Sequence, residues 1–318
     1  MNTENNLPFA EILASLFAEE MGPIHYLYRL SDMSEDEHLQ FDASWKGVSD
    51  NRRHEIVRHL ADISESNFVV DFSPIFRSSF LDPFAPVRVA ALDGLWDSTD
   101  STLVNPILEL LTSDPDPVVR EAAAKSLAHF LLLSEWGQVR GINTQRVFQK
   151  LLAIYEHPLT TLRIKCAVLE AMGPIPLNET TRIIEDAYEV GVEELQLSAI
   201  FAMGTSADSR WLSILLDEME SPSVDMRAEA ARAAGIIGKT EAIPQLAELS
   251  YDEDLDVATT SVIALAQIGG DEANHILNVL LADQEMKHVH EAIEEALEES
   301  QWLDGELPMM PWSEENTL

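Results

Sequence analysis

A phrase that recurs about every thirty-two residues constrains this chain more than any other feature. A turn residue, often Pro, stands five places before Val-Arg or a relative, and small and apolar residues follow. It reads Asp82-Pro83-Phe84-Ala85-Pro86-Val87-Arg88, then Asp114-Pro115-Asp116-Pro117-Val118-Val119-Arg120. Self-similarity at such a period predicts an elongated all-α solenoid, in which each unit buries its apolar face only by stacking on its neighbours. An array of this kind grows by addition, so 318 residues need not divide into separate cores.

Aligning the phrase gives anchors at Arg88, Arg120, Arg163, Gln196, Arg227, Ala258 and His290, spaced by 32, 43, 33, 31, 31 and 32 residues. The long spacing coincides with residues 134–144, a polar stretch with two glycines that reads as a loop inserted between helices. Within a unit, a first helix carries an apolar stripe such as Ile107, Leu108, Leu110 and Leu111. A second helix is rich in small residues, as at Ala122-Ala123-Ala124, and the residues three and seven places after the anchor fill the seam. Ala91 and Leu95, Ala123 and Leu127, Ala230 and Ala234, and Ser261 and Leu265 hold those places.

The pattern resembles the bacterial HEAT repeat, including the repeats of the phycobilisome-lyase type. The resemblance is carried by Asp114-Pro-Asp-Pro-Val-Val-Arg120 with Ala122-Ala123-Ala124 and Leu127, by Met226-Arg227 with Gly235 and Gly238, and by Leu265 with Ile268-Gly269. It covers residues 71–300 and departs from the family pattern at Gln196, Ala258 and His290, where the anchor Arg is lost. It implies a right-handed α-solenoid of about seven HEAT-like helical hairpins, with second helices lining a concave face.

The anchors Arg88, Arg120, Arg163 and Arg227 are expected to be structural. Asp82 and Asp114 each stand six residues before an Arg, which places the carboxylate in the turn and the guanidinium on the first turn of the second helix. The Asp is expected to cap that helix while the Arg bonds turn carbonyls or a neighbouring carboxylate.

Residues 1–70 depart from the repeat and are expected to form an atypical N-terminal helical cap, with helices over 7–21, 25–30, from the capping-box match Ser34-Glu-Asp-Glu37 to Trp45, and over 50–63. Residues 301–318 form an acidic tail with Trp302, Pro308-Met-Met-Pro311 and Trp312, which either folds back over the last helix or docks elsewhere.

Charge excludes several functions. With 20 Lys plus Arg against 56 Asp plus Glu, the formal net charge is -36. Nucleic acid and anionic membrane are poor partners for such a surface, and a DNA glycosylase of the HEAT-like kind would need a basic groove. The acidity reads first as a solvated surface that resists association, second as a groove for a basic protein or peptide, and third as a salt-rich habitat. Cys166 is the only cysteine, so no intramolecular disulfide exists, and its apolar surroundings predict a buried thiol. The first twenty residues lack a basic leader, and no apolar run approaches the roughly 18 residues of a membrane span. A cytoplasmic monomer is expected.

No catalytic, cofactor or metal signature survives. Gly235-Ile-Ile-Gly238-Lys239-Thr240 ends like a phosphate-binding loop, but Ala233 stands where its first Gly belongs and an Ala-rich helix replaces the required strand. Gly238 suits a helix C-cap and Thr240 an N-cap instead. Of His288, His290, Glu291 and Glu294, only His290 and Glu294 share a helical face, too few ligands for a site. Asn178-Glu-Thr180 reads as a helix start. The expected function is therefore a non-enzymatic protein-interaction scaffold without cofactor, binding another protein on the concave face or through the tail. Trp96, His129, Phe130, Trp302 and Trp312 are the candidate contacts. The alternative, implied by the lyase resemblance, is a bilin or tetrapyrrole attachment factor.

Overall fold

In a computed structural model, residues 7–18, 22–67 and 69–303 are described. The described residues contain helices and no strand, and the protein is an all-α solenoid. It comprises two compact units, residues 1–171 and 172–318.

The first unit opens with α1 (Phe9–Leu16), a 3-10 helix (Ile24–Leu30) and α2 (Glu35–Trp45). The expected helix over 7–21 is thus short, and the expected helix over 25–30 has the tighter 3-10 winding. Ser34 and Glu37 close a reciprocal capping box on α2. Phe17, Phe41 and Trp45 form an aromatic cluster, with ring centroids 4.9 to 5.7 Å apart.

Then come α3 (Asp50–Ser66), α4 (Ser73–Ser79), α5 (Ala85–Asp93), α6 (Val104–Ser113), α7 (Pro117–Glu135), α8 (Thr144–Glu156) and α9 (Leu162–Met172). Of these, α3, α5 and α7 are successive second helices, and α5 packs against both of the others. Their starts are written locally. Pro117 occupies the first position of α7, where no N–H is missed, and the Asp116 carboxylate accepts from Val118 N at 2.8 Å. The expected loop over 134–144 begins two residues late, because α7 runs to Glu135. Its glycines, Gly137 and Gly141, have positive φ, and buried Val139 pins it by donating its N–H to the Leu133 carbonyl.

The second unit contains α10 (Asn178–Glu189), α11 (Glu193–Thr205), α12 (Leu212–Glu218), α13 (Val224–Ile237), α14 (Ile243–Leu249), α15 (Leu255–Ile268), α16 (Gly270–Ala282) and α17 (His290–Leu303). Here α13 packs between α11 and α15. Three glycines set the close approach of these second helices. A Cβ added at Gly173, Gly204 or Gly235 would stand 2.8 to 2.9 Å from the Cα of Ala202, Ala233 or Ala264 respectively. Each glycine follows the last by 31 residues, so the seam repeats with the fold.

Gly238 ends α13 in the left-handed conformation, φ 67°, as its position after an apolar helix predicts. Lys239, not Thr240, holds the N-cap of the next short helix, and Thr240 is that helix's first residue. Helix α10 starts at Asn178. Cys166 is half-buried rather than fully buried. No helix among the described residues is long and apolar enough to cross a membrane.

Candidate functional site

Two features stand out: a ladder of ion pairs that joins repeats, and a groove on the second helices of the first unit.

The ladder uses the fourth residue of α3, α5 and α13. Arg88 in α5 donates from Nε and Nη2 to both oxygens of Asp114, at 2.8 and 2.7 Å, and from Nη1 to the Asp82 carbonyl at 2.7 Å. Arg53 in α3 does the same one repeat earlier, donating to Asp82 at 2.6 and 2.9 Å and to the Val48 carbonyl at 2.5 Å. Arg227 in α13 donates to Asp252 at 2.7 and 3.0 Å and to the Ser221 carbonyl at 3.0 Å. Each of these Asp residues also accepts from the backbone N–H two residues on, at Phe84, Asp116 and Asp254, all at 2.9 Å. Bidentate geometry and low exposure make these the strong form of ion pair. Hydrogen bonding to Arg227, aided by the Asp254 N–H, holds the Asp252 carboxyl below its ordinary value against a smaller opposing push from burial.

This differs from the expected arrangement in two ways. The Asp does not cap its own helix. Phe84 is the N-cap residue of α5 and makes no side-chain cap, while Asp116 caps α7, so Asp82 and Asp114 order the turn just ahead. The Arg bonds its own turn carbonyl and a neighbouring carboxylate, which is the Asp of the next repeat. Finally, Arg163 is not an anchor: it is the second residue of α9, its side chain is 76% exposed, and it reaches Glu121 at 3.0 Å. Lys165 holds the fourth position, preceded by buried Ile164, as Val87 precedes Arg88 and Val119 precedes Arg120. Where Leu159, Val190 or Ser221 replaces the forward Asp, the anchors are Arg120, Lys165 and Gln196. Arg120 then donates to the Leu111 carbonyl at 2.9 Å, and Gln196 to the Tyr188 carbonyl at 3.0 Å. His290 begins α17, with Nε2 3.2 Å from the Asp283 carbonyl oxygen.

The groove runs across α3, α5 and α7. Its larger part has a volume of about 510 Å³ and includes Arg58, Glu65, Val89, Asp93, Trp96, Val118, Glu121, Lys125 and His129. A second depression of about 310 Å³ continues it past His54, Pro86 and Asp116, sharing Arg58, Val89, Asp93 and Val118. Val118 is 50% exposed and Trp96 42%. The polar wall is organised. Arg58 donates to Asp93 at 3.0 Å and lies 3.0 Å from Asp62, Lys125 donates to Glu121 at 3.0 Å, and His129 Nε2 lies 3.1 Å from the Ser98 carbonyl. Loss of water in the groove pushes the Asp93 carboxyl up, Arg58 resists, and Glu65 adds to the rise. Glu121 feels the same desolvation, but Lys125 and Arg163 outweigh it and hold its carboxyl down.

Of the candidate contacts, Trp96 and His129 therefore line one groove. Phe130 does not: it is 0% exposed, pointing into the core one helical position from His129. Trp302 lies on α17, and Trp312 is outside the described residues. Sequence reasoning passed over Arg58, Asp93 and Val118, which no local pattern distinguishes. Among the described residues, no three His, Cys, Asp or Glu converge as a metal site.

Paired helices, a small-residue seam and ion pairs repeated along the stack define an α-solenoid repeat protein. A family model for HEAT repeats matches residues 76–171, 191–266 and 212–298, more than half of the chain, and the protein belongs to the HEAT-repeat family. Among solved structures, the complex of CpcE and CpcF of phycocyanin lyase from Nostoc sp. PCC7120 is similar with a TM-score of 0.55 at 18% identity, over 82% of this chain and 96% of that one. Human deoxyhypusine hydroxylase has a TM-score of 0.37 at 17% identity, over 92% and 96% of the two chains. At these identities the likeness is one of fold. No curated protein matches the sequence.

Proposed function

We propose that this protein is a non-enzymatic scaffold that binds another protein on the second-helix face of its first unit. The observation that carries the reading is the groove over α3, α5 and α7, where Val118 and Trp96 stay exposed beside a hydrogen-bonded polar wall. Covering such side chains contributes roughly 25 cal/mol per Å² of apolar surface removed from water. A groove held by stacked helices needs little ordering to receive a guest. HEAT repeats favour the same role.

A photo-crosslinking residue at Val118 tests this in the native lysate, with the same residue at Glu109, on the first helix α6, as control. A protein adduct specific to position 118 and lost in the Trp96→Ala background is expected. Equal labelling at both positions would overturn the reading.

The second reading is a tetrapyrrole attachment factor, supported by the likeness of fold to phycocyanin lyase. Its propionates would need free cations, whereas Arg58 and Lys125 in the groove are already paired with Asp93 and Glu121. Titration with a bilin, followed by its absorption spectrum, separates the two readings: an unchanged band is expected.

A further inference from the structure

We infer that the guest of this groove is a peptide segment combining apolar side chains with a Lys or Arg, seated with its apolar groups on Val89, Val118 and Trp96 and its cation between Glu65 and Asp93. The inference rests on the scaffold reading and names the chemistry of the partner.

Charge complementarity is the argument. Along the two connected depressions the carboxylates Glu65, Asp93, Asp116 and Glu121 outnumber the cations Arg58 and Lys125 two to one. Three of the four are already engaged: Asp116 caps α7, Asp93 accepts from Arg58, and Glu121 accepts from Lys125. Glu65 is exposed, lines the groove and has no ion pair among the described residues. It lies near enough to Asp93 to raise that carboxyl, and Arg58 is already divided between Asp62 and Asp93, so Glu65 is left without a cation of its own.

An added ammonium or guanidinium there relieves the repulsion between two carboxylates that both remain open to solvent and so to a guest. An acidic guest would meet the opposite field, which extends over a chain of net charge -36. Apolar seats on α5 and α7 beside a carboxylate pair from α3 and α5 thus select for mixed apolar and basic character.

Selection from a library of short random peptides against the full chain tests the inference. Synthetic copies of the winners are then titrated against wild type, E65Q, D93N, the E65Q/D93N double variant, V118D and the control E109Q. Winners rich in Lys or Arg beside apolar residues are expected, with affinity falling about tenfold in the E65Q/D93N double variant and falling further with salt. Binding is expected to be lost in V118D and unchanged in E109Q.

Winners lacking basic residues, or basic winners indifferent to E65Q/D93N yet lost in V118D, would overturn the basic guest and leave the scaffold reading standing. Failure to enrich any peptide, or binding indifferent to V118D in a variant with the wild-type helical spectrum, would overturn the groove itself.

Discussion

Arg88 grips Asp114 across a repeat boundary with both arms of its guanidinium, and both side chains are almost wholly buried, 8% and 4% exposed. The third donor of Arg88 holds the Asp82 carbonyl in its own turn, so one side chain ties two successive turns together. Arg53 and Arg227 repeat the device, which therefore acts as a spacer between repeats rather than a feature within one.

Removing one member of the pair strands a buried charge. Asp114→Ala or Arg88→Ala is expected to destabilise the first unit by about 3–5 kcal/mol. Replacing both members by Leu should cost much less, because no charge is then left unpaired. Arg88→Lys should fall between, since a single ammonium cannot reproduce the fork. Urea unfolding together with amide exchange in α5 and α7 reports these differences; a double-Leu variant as unstable as Asp114→Ala would refute the account.

The ladder also predicts the sign of a pH response. The Asp252 carboxyl is held below its unfolded value of 3.8, so its contribution is complete above that value and is lost as pH falls through the lower folded one. Asp252→Asn should lower stability at neutral pH and flatten the acid limb of the stability curve. Asp93 has the opposite sign, because burial raises its folded value and the fold favours the protonated form. Asp93→Asn should therefore leave neutral-pH stability undiminished. Urea titrations across the acid range compare the two variants.

Much of the fold was legible in the Val-Arg phrase because the residue before the anchor is core: Val87, Val119 and Val257 are all 0% exposed. Register was harder. Leu162-Arg163 mimics the phrase, but Leu162 is exposed and Ile164 is buried, and only the 31-residue spacing of Gly173, Gly204 and Gly235 points to Lys165. Asp252 escaped notice because comparison within one repeat sets it beside Ala258, whereas its partner is Arg227 in the repeat before. The groove was legible only in part. Trp96, in the turn just after α5, and His129, late in α7, are conspicuous as large residues, but Glu65, Asp93 and Val118 lie on three helices and acquire meaning only when those helices stack.

Tyr188 offers a spectroscopic check on the second unit. Burial first, and then a hydrogen bond from its hydroxyl to Glu218, push its ionisation well above the ordinary tyrosine value of 10.0. Alkaline titration in the ultraviolet should show one fewer tyrosine ionising in the normal range, and Tyr188→Phe should abolish that deficit. Glu218→Gln should move Tyr188 part of the way back, since burial persists when the carboxylate charge is gone.

Gly204 sets two effects of opposite sign against each other. It lies inside α11, where Ala in place of Gly would raise helix propensity by about 1 kcal/mol. The new methyl, however, would stand 2.8 Å from both Cα and Cβ of Ala233, and backbone cannot step aside as a flexible side chain could. Overpacking of this kind costs about 1–3 kcal/mol, so Gly204→Ala should destabilise the second unit on balance. Adding Ala233→Gly removes the Cβ clash but leaves the Cα one, and so should recover part of the loss, although the glycine now weakens α13. Recovery in thermal melts of the double variant distinguishes a crowded seam from a simple change in helix propensity, which predicts that Ala233→Gly lowers stability further.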